Sequence, residues 1–228
     1  MANNNYTYLK SSSAAFSSML GRFGIVTVMN ADIFEYDQTA MDKTPEEIIA
    51  LYTEEKRIAH LDTLKIANVT LDGPTKTVTG GQYANPLIKY GKTARLEMQD
   101  ALGNAEVLDA LCGTVTEYTS AEASSYETIV KTPDNARISL NVGTNFQGEK
   151  CIIGDSFFID QKSGQQVKVK IIFYKFLPDS LFNLTQDAEG DATVFDMNGD
   201  LLAVNVKLHA NDGSEITQGL FYSIVAGQ

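Results

Sequence analysis

A mainly β domain, either a β-sandwich or a partly closed barrel, is what three features of this 228-residue sequence predict. Short runs rich in β-branched and aromatic residues recur along most of the chain. Turn-forming Asn, Asp, Gly and Pro residues separate them at short intervals. Only two stretches switch to a helical period, and both lie in the first half.

The chain opens on an Asn/Ser-rich run, MANNNYTYLKSSS, which predicts a flexible N-terminal arm over residues 1–20. FGIVTVM, Phe23 to Met29, then reads as the first strand of a single domain spanning 21–228. A long inserted loop is expected at about 30–60, and it carries a helix start. Thr44 can cap, Pro45 suits the first helical position, and Glu47 three residues on closes a capping box. Ile48, Leu51 and Tyr52 keep helical spacing, so an extra helix is predicted at about 45–56. His60 to Leu71, Thr75 to Thr79 after the turn Asp72-Gly73-Pro74, and Leu87 to Met98 read as strands. Leu102, Val107, Leu108, Leu111 and Cys112 suit one face of a short flanking helix at about 101–112, with Gly113 as its stop. TVTEY from Thr114 resumes the β pattern.

From Tyr126 the chain is almost continuously β in character: ETIVKT, ARISLNV, KCIIGDSFFID, QQVKVKIIFYKFL, SLFNLT, ATVFDM, DLLAVNVKLHA and GLFYSIV. Pro133-Asp134-Asn135, Lys162-Ser163-Gly164, Asn198-Gly199 and Asn211-Asp212-Gly213 supply turn chemistry between them. The second half of QQVKVKIIFYKFL is apolar on both faces. Either the short helix ending at Gly113 or another copy of the protein is expected to cover the second face.

Composition narrows the function. Twenty-nine acids against 18 bases give a net charge of -11, a field that repels nucleic acid and anionic membranes. Cys112 and Cys151 are the only cysteines, too few for a disulfide framework, and both are expected as buried free thiols in a reducing compartment. The N-terminus predicts no signal peptide, and no apolar run is long enough to predict a membrane helix. The sequons at Asn5, Asn68 and Asn183 therefore carry no weight.

No catalytic, cofactor or metal residues are assigned. His60 and His209 lie far apart in strand-like runs without clustered partners. Gly80-Gly81 lacks the Lys-Ser/Thr of a phosphate loop and reads as a tight bend. The acidic stretch FNLTQDAEGDATVFDMNGDL (Asp187, Glu189, Asp191, Asp196, Asp200) invites a calcium loop starting at Asp196. Asn198 and Asp200 fall on the third and fifth places, but Leu201 replaces the sixth-place glycine and Lys207 the twelfth-place glutamate. Paired catalytic carboxylates at Asp191 and Asp196 would define a hydrolase, but no partner base accompanies them and there is no tryptophan for sugar stacking. The stretch reads instead as a bend at Asp187 to Asp191 and a tight hairpin at Asn198-Gly199. Phe157, Phe158, Phe173, Tyr174 and Phe176 read as core and inter-strand packing.

Two passages resemble the tail tube (major tail) protein of long-tailed bacteriophages and related phage-tail-like particles. IKYGKTARLEMQDALGNAEVLDALCGTVTEY is similar to that family's passage from a strand through one short helix to a glycine and back into a strand. VKVKIIFYKFLPDSLFNLTQDAEGDATVFDMNGDLLAV is similar to its closing pattern, with a bend at Pro178 and the acid-glycine-acid turn Glu189-Gly190-Asp191. The upstream phrase LDGPTKTVTGGQYANPLIKYGKT also looks like tail proteins of phages from Gram-positive hosts. The resemblance implies a non-enzymatic virion protein, made in the bacterial cytoplasm, that self-assembles into stacked, hexameric rings forming a hollow tail tube. DNA would pass without specific binding, and the partners would be other copies and tail proteins such as the tape measure, terminator or sheath. The arm Met1 to Ser13, the segment Asp32 to Arg57 and the loop Thr119 to Ser125 would then make contacts between subunits and rings. The alternative is a β-sandwich binding module for carbohydrate or adhesion on a larger particle.

Overall fold

A computed structural model describes residues 23–25, 28–62, 64–73, 75–77, 87–89, 91–100, 105–112, 114–118, 138–142, 147–160, 164, 166–179, 183–184, 195–209 and 214–226. Its strands are β1 (Phe23–Ile25), β2 (Asn30–Glu35), β3 (Ala59–Leu61), β4 (Leu64–Asp72), β5 (Thr75–Thr77), β6 (Leu87–Lys89), β7 (Thr93–Asp100) and β8 (Thr114–Tyr118). They continue as β9 (Ile138–Val142), β10 (Lys150–Asp160), β11 (Gln166–Pro178), β12 (Asn183–Leu184), β13 (Phe195–Leu201), β14 (Val204–His209), β15 (Glu215–Leu220) and β16 (Tyr222–Ala226). The helices are α1 (Gln38–Met41), α2 (Pro45–Leu51) and α3 (Ala105–Cys112), with a 3-10 turn at Glu54–Lys56. The fold is mainly β, as the alternating and β-branched runs predict.

The main sheet is antiparallel throughout and runs β3-β2-β10-β11-β13-β7-β4. Its edges, β3 and β4, are consecutive in the chain. Leu61 ends one and Leu64 begins the other. Three Cα–Cα steps of 3.8 Å let those residues lie at most about 11 Å apart, so the sheet must curl until its edges approach. This is why His60 to Leu71, expected as one strand-like run, is two strands on opposite edges.

β11 is the hub. Its first half, Val169 to Phe173, pairs with β16, and its end, Phe176 to Pro178, pairs with β13. Between them the register against β10 shifts by one residue, so Tyr174-Lys175 forms a bulge. A bulge bends and over-twists a strand. Here it falls where β11 exchanges one neighbour for another, and it returns Phe176 to the face that Phe173 occupies.

Both faces of this hub are covered. On one, Ile171, Phe173 and Phe176 pack with Ala31, Ile33, Leu96 and Met98, closed by Val107, Ala110 and Leu111 of α3. On the other, Ile172, Tyr174, Cys151 and Ile153 pack against Met41 of α1, Ile48 of α2, and Val204 and Val206 of β14. Each large side chain so buried contributes roughly 1.5–3 kcal/mol. The flanking helix therefore covers one face, and the helices of the early insertion, with β14, cover the other.

Local sequence explains the covering helices. Thr44 accepts the Glu47 N–H through Oγ1 (3.4 Å), while the Thr44 N–H donates to Glu47 Oε2 (3.0 Å), which is the capping box expected at α2. Asp37 caps α1, a helix not anticipated from sequence. The stretch expected as a loop at about 30–60 begins and ends as sheet, because β2 and β3 place Ala31, Ile33, Ala59 and Leu61 in the core. Only residues 36–58 form the insertion.

Asn198-Gly199, expected as a hairpin, lies inside β13. Gly199 pairs with Pro178 on one side and Leu96 on the other. A Cβ there would collide with the Leu177 carbonyl and the Phe176 ring, so glycine is present for space. The expected turn at Lys162-Ser163-Gly164 agrees with the positive φ of Gly164 (+70°) between β10 and β11. The N-terminal arm, Gly80-Gly81, Gly113, Pro133 to Asn135 and Asn211 to Gly213 fall outside the described residues.

Candidate assembly surface

The acidic stretch lies only partly in view: Asp187, Glu189, Gly190 and Asp191 are outside the described residues. Asp196 and Asp200 share the outer face of β13, opposite the buried Met197 and Leu201. Gln99 Nε2 donates to Asp196 Oδ1 (2.9 Å). Arg95 pairs with Asp200 (3.4 Å) and more closely with Asp179. The Asp179 hydrogen bond, followed by the negative charges of Asp179 and Asp200, pushes the Arg95 guanidinium above its already high ordinary range. Asp196, Asn198 and Asp200 sit on a straight strand, where alternate residues are roughly 7 Å apart. A calcium loop needs a chain that wraps around the ion. Asn198-Gly199, expected as a tight hairpin, is instead part of this strand's interior.

His60 is better partnered than its sequence neighbourhood implies. Asp32, directly opposite on β2, meets its Nδ1 at 2.5 Å, and Asp62 meets Nε2 at 2.6 Å. Arg57 joins Asp32 at 3.2 Å. The cluster was invisible in sequence because Asp32 reaches His60 only through β2–β3 pairing. His209, exposed at the end of β14, is paired in register with Glu215. Among the described residues, no group of three or more His, Cys, Asp or Glu residues is placed to hold a metal ion.

The aromatic group of β11 divides between the two faces, with the Tyr174-Lys175 bulge breaking the alternation. Phe173 and Phe176 enter one core, and Tyr174 enters the other, where its hydroxyl donates to Ser223 Oγ (2.6 Å). Burial pushes the Tyr174 phenol above its ordinary pKa. Burial likewise pushes up the Cys151 thiol. Cys151 is fully buried and free, as expected. Nothing is described for the Cys112 side chain.

Lys150 was not singled out from sequence. Its side chain is only 3% exposed, yet its ammonium reaches out of the sheet to Glu35 Oε1 at 2.6 Å. A buried cation is held by such a partner.

Among the described residues several strands have a partner on one side only, the main-sheet edges β3 and β4 and both strands of the β14–β15 pair among them. β4 pairs only with β7, and β15 only with β14. Asn68, Thr70, Leu71 and Asp72 of β4 are exposed, as are Glu215, Ile216 and Thr217 of β15. Open edges of this length offer a row of backbone N–H and C=O groups to another chain. A cleft of about 510 Å³ opens beside the insertion, lined by Phe34, Asp37, Lys43, Tyr52 and Lys56 among others. A second, of about 370 Å³, lies over β10 and β11 at Met29, Asp155, Phe157, Lys168 and Lys170. No protein-family model and no curated protein matches the chain.

Proposed function

We propose that this protein is a structural subunit that self-assembles, through its sheet edges and its early insertion, into the stacked rings of a phage tail tube. The observation that carries the reading is the presence of unpaired strand edges, β4 and β15 among them, on a fold whose two cores are already closed. Such edges favour strand addition from a neighbour, and a contact between two different edges repeats by rotation into a ring. The sequence resemblance in residues 88–118 and 167–204 supplies the rest of the support. The net charge of -11 suits a conduit through which DNA slides without sticking.

Electron microscopy of purified protein at high concentration tests the proposal. Rings or tubes are expected. Persistent monomers across the accessible range of salt and concentration would overturn it, and binding to a glycan array by such monomers would favour the carbohydrate module instead.

A further inference from the structure

Asn198-Gly199 is the one Asn-Gly pair in the chain. In such a pair no side chain shields the glycine nitrogen, which can attack the side-chain amide carbon of the asparagine. A C–N bond forms, ammonia leaves, and water opens the resulting succinimide to aspartate or to isoaspartate, in which the main chain runs through the former side chain. Ring closure requires the Asn198 ψ to leave the strand value of roughly +135° until the Gly199 nitrogen lies beside Cβ. Pairing of β13 on both sides withholds that rotation. Asn198 pairs with Glu97 of β7 and Gly199 with Leu96. Toward β11, Gly199 pairs with Pro178, and the Asp179 N–H donates to the Asn198 carbonyl oxygen at 2.8 Å.

The charges around Asn198 matter as much as its backbone. Its side chain shares the outer face of β13 with Asp196 and Asp200, Glu97 lies directly across on β7, and Asp179 stands beside it just past β11. A neutral amide is therefore ringed by carboxylates. A single guanidinium, Arg95, serves Glu97, Asp179 and Asp200, and Asp196 has only the amide of Gln99.

We propose that Asn198 is a latent deamidation site, closed while β13 is paired and open when it is not, whose products hinder the strand from re-forming. Aspartate at this position adds a further carboxylate opposite Glu97, a like-charge cross-strand pair. Isoaspartate lengthens the main chain by one carbon, so Gly199 cannot meet Pro178 and Leu96 in register or keep its close fit against Phe176. An opening that would otherwise reverse is made permanent.

The test incubates the full chain, native and in urea, at one mildly alkaline pH and temperature, and follows Asn198 by peptide mapping with mass spectrometry. The native rate is expected to be roughly a hundredfold or more below the unfolded one, because a strand paired on both sides opens with much of the stability of the whole fold. Equal rates in the two states would overturn the proposal. The control is N198Q, whose longer side chain would have to close a larger ring. After equal times in urea and dilution, N198Q should regain its near-ultraviolet circular dichroism in higher yield than the deamidated wild type. Equal recovery would show that the products do not hinder refolding, and the proposal would fail there. N198D, the aspartate product itself, is expected to have a lower urea midpoint than N198Q, with the gap narrowing in salt. Equal midpoints would overturn the charge argument. Should N198D not fold, E97Q/N198D removes the facing carboxylate and is expected to recover folding, and its failure to do so would likewise overturn that argument.

Discussion

Gly199→Ala is the sharpest probe of how the sheet is built. In an ordinary strand this change is mildly stabilising, by roughly 0.4–1 kcal/mol, because alanine restricts the unfolded chain. At Gly199 the sign should reverse. The new methyl group would meet the Leu177 carbonyl and the ring of Phe176, a side chain with 0% exposure. Neither has room to retreat: β13 is hydrogen-bonded between β11 and β7, and Phe176 is wedged among Leu96, Met197 and the other residues of its core. Overpacking of this kind costs roughly 1–3 kcal/mol, and a collision with backbone places the change at the upper end, about 3 kcal/mol. For a chain of this size that is a fall in Tm of roughly 6–12 °C. Urea denaturation of wild type, Gly199→Ala, Phe176→Leu and the double variant closes a double-mutant cycle. Because leucine vacates part of the space the methyl needs, the double variant should be more stable than the sum of the single changes implies, by roughly 1 kcal/mol. A neutral or stabilising Gly199→Ala, or strict additivity with Phe176→Leu, would refute the packing explanation and return Gly199 to the turn that its Asn198-Gly199 sequence suggests.

Two further measurements test other parts of the structure. The Asp37 carboxyl is held below its ordinary pKa by the Thr39 hydroxyl and backbone N–H, and the Glu47 carboxyl by the Thr44 backbone N–H of the capping box. A carboxyl with a lowered folded pKa adds stability above its unfolded value and loses it as pH falls through the folded value. Hydrogen exchange at Ile48 and Tyr52 amides should therefore quicken as pH drops below the ordinary carboxylate range, once intrinsic rates are divided out. Glu47→Gln should flatten part of that dependence, and an unchanged profile would mean that the cap contributes nothing. In a Cys112→Ser background, Cys151 should resist thiol reagents in the native state and react at the rate of unfolding, since burial raises its pKa and removes access. Rapid labelling of folded protein would contradict its place in the core.

Features governed by neighbours a few residues away were the readable ones. The capping box at Thr44 to Glu47, the span of KCIIGDSFFID as β10 and the helix ending at Cys112 each follow from side chains that act within one turn or along one strand. α1 escaped notice because four residues are too few to show a period, although Asp37 two residues before Thr39 was its signal. β2 was hidden differently. Its burial on both faces, with Ile33 in one core and Phe34 in the other, removes the polar alternation that marks a half-buried strand, and Asp32 and Glu35 interrupt its apolar run.

The sequence by itself determined the mainly β character, the acidic charge and the capped helix in the early insertion, because propensity, composition and capping act locally or sum over the chain. It also identified Asn198-Gly199 as unusual, but assigned the wrong cause. Only the tertiary structure decided that Gly199 makes way for Phe176, that His60 stands between Asp32 and Asp62, and that β3 and β4 leave a curled sheet with β4 unpaired on one side. Each of these depends on strand pairing or packing between residues distant in sequence, and a local pattern carries no record of which distant strand will become its neighbour.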